Sequence, residues 1–83
     1  MNKNVVLSSL RKSGDAVITV AGKNILATID FDNKYIKSKR RQFVKFTRDN
    51  ILVFNWTDNK FDLLNAKDIK YINPLQKVLN NNG

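Results

Sequence analysis

Seven cations, Lys34, Lys37, Lys39, Arg40, Arg41, Lys45 and Arg48, fall within fifteen consecutive positions, and no acidic residue interrupts them. A phosphate backbone suits such a cluster, because each neutralised phosphate releases condensed counterions; binding then needs no base reading and weakens steeply with salt. The arginines add a planar fork that matches phosphate oxygens. Tyr35 and Phe43 interleave with these cations, and an exposed ring beside a cation can stack on an unpaired base for roughly 1–3 kcal/mol. The expected nucleic-acid-binding set is therefore Lys34, Tyr35, Lys37, Lys39, Arg40, Arg41, Phe43, Lys45 and Arg48. The plainer alternative for the cations is a solvated face. For Phe31, Phe46, Phe54 and Phe61 it is the core, where rings bury the most apolar area. Trp56 shares parity with Leu52 and Phe54 and is assigned to the core too, its indole N–H needing an acceptor.

Catalytic chemistry has little to work with. The 83 residues include no Cys and no His, which removes disulfides and the favoured ligands of zinc, iron and copper. Asp, Lys, Tyr and Ser remain as candidate acids, bases and nucleophiles, and none sits in a recognisable motif. Asp30 and Asp32 could join Asp58 or Asp62 around Mg²⁺, but turn capping accounts for them more simply. Gly14, Gly22 and Gly83 stand at turns or ends and make no phosphate-binding loop. The chain is expected to be non-catalytic, with no cofactor and no metal site.

Lys and Arg total 15 against 7 acids, every one an Asp, for a formal net charge of +8. On a domain this small, that excess makes a field that attracts and steers polyanions. DNA and RNA both fit as partners, with little sequence specificity. The alternative class is a protein-interaction module, a small regulator or inhibitor that docks its basic face, or an edge strand at residues 34–39, on an acidic protein partner. Self-assembly into a homo-oligomer is compatible with either. The apolar run Val5–Val6–Leu7 is too short for a signal segment or a membrane span, and no basic amphipathic helix for a membrane surface is evident. A cytoplasmic location is the expectation that follows.

The elements that must position these residues read as mostly β. Residues 4–12 place Val6 and Leu10 on one helical face, with Gly14 as a stop, although the β-branched pair Val5 and Val6 also allows a strand. Ala16–Ala21 and the run from Ile25 to Phe31 form the best hairpin signal, joined by a turn at Gly22-Lys23-Asn24. In the second run Ile25, Ala27, Ile29 and Phe31 share a face, Thr28 and Asp30 lie on the other, and Leu26 is out of pattern. Lys34–Arg41 reads as a loop or an edge strand, and Gln42–Thr47 as a third strand. Ile51–Thr57 is apolar on both faces and should be central. Phe61–Leu63 alternates, Asn65-Ala66-Lys67-Asp68 reads as a turn or as a single helical turn capped by Asn65, and Ile69–Ile72 makes a last strand ended by Pro74. No linker or repeat is visible, so residues 1–83 are expected to form one domain with its core at about 5–75, and 76–83 as a frayed tail or short helix. Short strands at even spacing point to a small antiparallel five- to six-stranded barrel or strongly bent sheet of SH3-like or Sm-like type, with a short N-terminal helix possible.

Overall fold

The computed structural model of the chain describes residues 1–39 and 48–81. Helix α1 (Lys3–Ser13) starts at Asn2, whose side chain accepts from the Asn4 N–H, and stops at Gly14. Gly14 has φ 70° and donates its N–H to the Leu10 carbonyl, the left-handed C-terminal stop that glycine adopts without strain. Val6 and Leu10, one turn apart, are fully buried.

Strands β1 (Asp15–Val20) and β2 (Lys23–Thr28) form the expected hairpin, with a tighter turn than the sequence suggests. Val20 pairs with Lys23, so the loop is only Ala21-Gly22, with φ 50° and 78°. Positive φ at both central residues marks a type I′ turn, whose twist matches that of the flanking strands. Strands β3 (Asn50–Asn55) and β4 (Lys60–Asn65) make a second hairpin, in which Asn55 accepts the Asp58 N–H and donates to its carboxylate. Asn65 caps the 3₁₀ turn Ala66–Asp68 by accepting from Lys67 N–H. Strand β5 (Ile69–Pro74) follows, and helix α3 (Leu75–Asn81) begins directly after Pro74.

The five strands form one antiparallel sheet in the order β4-β3-β2-β1-β5. Its two edges, β4 and β5, are joined by only the three residues of the 3₁₀ turn. A flat sheet would hold those edges about 19 Å apart, at roughly 4.8 Å per strand spacing, whereas the connection reaches at most about 15 Å fully stretched and is coiled. The sheet therefore has to curl strongly. A bulge on β5 opposite Thr19 and Val20 adds to the bend. The edges do not pair with each other, so the architecture is a strongly bent, mostly β sheet with a short N-terminal helix.

The concave face packs Ala16, Ile18, Ile25, Ala27, Ile51 and Val53 against Val6 and Leu10 of α1. The other face is also apolar. Phe54 and Ile36 are buried there at 0% and 1% exposure, apart from the main core. The apolar-on-both-faces pattern of β3 is thus satisfied twice, and β3 lies inside the sheet as expected.

Several expectations change. Residues 34–37 are a helical turn, α2 (Lys34–Lys37), in place of a loop or edge strand. The side chain of Asn33 accepts from Tyr35 N–H and Ile36 N–H and so starts a helix where a loop or an edge strand was expected. Phe31 leaves the face of Ile25 and Ala27, because β2 ends at Thr28 and the parity ends with it. Thr28, expected on the polar face, is buried, and its hydroxyl donates to the Gly14 carbonyl and accepts from Asp30 N–H. The third strand expected at 42–47 lies outside the described residues.

Candidate nucleic-acid interface

Helix α2 is a single turn, so one inward side chain fixes where its neighbours point. Ile36 is buried, which leaves Lys34, Tyr35 and Lys37 exposed. The Ser38 hydroxyl donates to the Tyr35 carbonyl, and Lys39 N–H donates to Ile36, closing the turn and setting Lys39 beside Tyr35.

Tyr35 is held on several sides. Trp56 stacks against it, with ring centroids 6.1 Å apart and an interplanar angle of 18°. Phe54 meets it edge-on at 6.4 Å. The phenol donates to Asn59 Oδ1 at 2.6 Å. Lys39 Nζ stands over the ring, 4.6 Å from its centroid. With this support Tyr35 is still 46% exposed. A hydrogen bond and the charge from Lys39 hold the phenol below the ordinary tyrosine range, against a smaller opposing effect of desolvation.

Behind Tyr35 the rings continue inward. Trp56 meets Phe54 at 4.9 Å, Phe54 meets Phe61 at 5.3 Å, and Phe61 meets Phe31 at 5.3 Å, all edge-on. Phe54 and Phe61 are direct cross-strand partners on β3 and β4, which puts them on one face. The exposed ring is thus the outer end of a packed aromatic row. Trp56, expected in the core, is half-buried on this second face, and its indole N–H finds its acceptor in Asp15 Oδ1 at 3.0 Å.

The charge around the row is lopsided. Lys34 and Lys39 lie on the Tyr35 side without an ion pair among the described residues, whereas Lys37 pairs with Asp32 at 2.8 Å. Beyond Trp56, a depression of about 190 Å³ is lined by Asp15, Asp30 and Asp32. Asp30 accepts from Asp32 N–H, the turn-capping role. Asp58 and Asp62 line a different depression, so the four acids considered for Mg²⁺ are divided between two places.

Of the nine expected site residues, Lys34, Tyr35, Lys37 and Lys39 are brought together. Arg48 is exposed in the turn before β3, at the opposite end of that strand from Trp56, about 20 Å away along six extended residues. Arg40, Arg41, Phe43 and Lys45 lie outside the described residues. Sequence reasoning missed Asn59, which reaches Tyr35 from 24 residues away; its signal was only a polar turn. It also missed that Trp56 backs Tyr35, because parity gave the face and not the partner. Among the described residues no helix is long and apolar enough to cross a membrane. No protein-family model, curated protein or solved structure matches the chain.

Proposed function

We propose that the chain is a non-catalytic nucleic-acid-binding protein that holds phosphates through the basic surface around α2, with little sequence specificity. The observation that carries this reading is Lys39 set over Tyr35, an exposed ring anchored in a packed row and flanked by Lys34. Cations beside an immobilised ring make the composite surface that a charged strand with aromatic bases can use. The excess of 15 basic over 7 acidic residues supplies the steering field. A cytoplasmic setting accords with a chain that contains no cysteine to oxidise.

The second reading is docking on an acidic protein partner. Among the described residues β5 is an edge strand of the sheet, and Tyr71 on it is 63% exposed, which favours this reading. Residues 34–39 do not offer it the edge strand expected from the sequence, because α2 stands in that place.

Anisotropy titration of labelled DNA and RNA oligonucleotides at several salt concentrations tests the first reading. Affinity should fall linearly in log salt, and Glu substitutions at Lys34, Lys39, Arg40 and Arg41 should abolish binding while leaving the circular dichroism of the fold unchanged. If neither nucleic acid binds at low salt, the reading fails and an acidic protein becomes the partner to seek.

A further inference from the structure

Building on the phosphate-binding reading, we propose that the ligand is single-stranded nucleic acid and that one unpaired base takes the Lys39-covered face of Tyr35, displacing Lys39, which then turns to a neighbouring phosphate. In the free protein the ring has two close neighbours. Trp56 stacks against it, offset, and is itself fixed by the Phe54 edge and by its hydrogen bond to Asp15. The Lys39 ammonium stands over the ring, 4.6 Å from its centroid, and covers the face that the base would take.

Those two neighbours differ in how easily they leave. Moving Trp56 would break the aromatic row and a hydrogen bond. Lys39 swings on four flexible carbons, and an exposed cation–π contact is weaker than the stacking of a base on a ring. The exchange also conserves charge complementarity, because the ammonium leaves a ring for a phosphate that arrives with the base. Phe54 and the hydrogen bond to Asn59 keep the ring from turning, so it is a ready platform that gives up little freedom on binding. A duplex keeps its bases stacked on one another and cannot offer one at this cost.

Trp56 is the chain's one tryptophan, and it lies against Tyr35, so its emission reports on this spot alone. The test titrates the protein with three labelled ligands of equal length: a single-stranded oligonucleotide, the same strand with abasic sites throughout, and a duplex. Anisotropy reports binding and Trp56 emission reports the ring. The single strand should bind and change the emission; the abasic strand and the duplex should leave the emission unchanged. Tyr35→Ala should weaken single-strand binding roughly five- to hundredfold and leave abasic binding as it was. Lys39→Ala should keep the emission response and lower the slope of log affinity against log salt by about 0.7. If all three ligands bind but the abasic strand equals the intact one and Trp56 stays silent, the platform is refuted while the phosphate surface stands. If nothing binds, both fall together.

Discussion

Lys39 ties the electrostatics of the surface to a measurable property of one ring. Its hydrogen bond and charge beside the phenol favour the ionised form of Tyr35, which therefore titrates below the ordinary value. The linked stability is full only above the unfolded tyrosine pKa of about 10, fades as pH falls through the lower folded value, and is absent at neutrality. In a Tyr71→Phe background, where Tyr35 is the remaining tyrosine, phenolate absorbance should show Lys39→Ala moving the pKa back up, with no loss of neutral-pH stability through this route. An unmoved titration curve would mean that Lys39 does not reside beside the ring. Asp32 offers a complementary change. Its pair with Lys37 is exposed on both sides and worth at most about 1 kcal/mol to the fold. Asp32→Asn should leave the melting temperature within a degree or two and, by releasing Lys37 and removing a negative charge, raise oligonucleotide affinity roughly two- to fivefold at low salt. At this scale the sequence was informative about which residues are exposed: Lys34 and Tyr35 sit among cations and point outward. It could not supply partners such as Asn59, Trp56 and Asp15, since hydrogen bonds across 24 and 41 residues depend on how the two hairpins meet.

Local chemistry decided how well each element could be anticipated. Helix α1 was legible as one of two options: Val6 and Leu10 repeat at one turn and Gly14 closes it, while the β-branched pair Val5 and Val6 left a strand open. The 3₁₀ turn was one of two readings at Asn65, a plain turn or a capped helical turn, and the Asn65 cap decides between them. Helix α2 was not, since four residues show too little periodicity and the cap at Asn33 looks the same as a turn residue. The second apolar face showed itself only as Leu26 breaking the alternation of β2 and as the unbroken apolar run of β3. Element-level reasoning also identifies a turn open to improvement. Ala21 adopts φ 50° at the first central position of a type I′ turn, a conformation in which alanine is strained and asparagine is preferred. Ala21→Asn should stabilise the protein by about 0.5–1 kcal/mol, a rise of roughly 2–8 °C in Tm for a domain of this size. An unchanged or lowered Tm in thermal melts would show that Ala21 is not in that conformation in solution. The seam between the hairpins is the weaker part of the sheet. β2 and β3 pair at only Ala27–Asn55 and Thr28–Phe54, with two further hydrogen bonds at Leu26. The aromatic row crosses this seam, so the same packing that braces Tyr35 also joins the two halves of the fold.

For the whole molecule, the question is whether its net charge of +8 acts as a general field or as one local surface. Twelve of the cations lie in the described residues, spread along the chain from α1 to α3, and only Lys37 and Lys67 among them are in ion pairs. A diffuse field alone would attract polyanions, but it is screened within about 8–10 Å at physiological salt and cannot hold a strand in place. Two triple variants with the same net charge of +5, three below the native +8, separate these contributions. One neutralises Lys34, Lys37 and Lys39 on α2 and its exit; the other neutralises Lys3, Lys70 and Lys77 on α1, β5 and α3. If binding is local, the first should lower the slope of log affinity against log salt by about 1.4, close to 0.7 for each of Lys34 and Lys39 since Asp32 holds Lys37, while the second changes it by a few tenths. Association rates should slow in both, because steering depends on total charge. Equal reductions in slope would place the phosphates all around the molecule and leave α2 with no special claim on them. A reduction confined to the first variant would locate the strand along α2 and its exit, where Lys39 stands beside the exposed Tyr35.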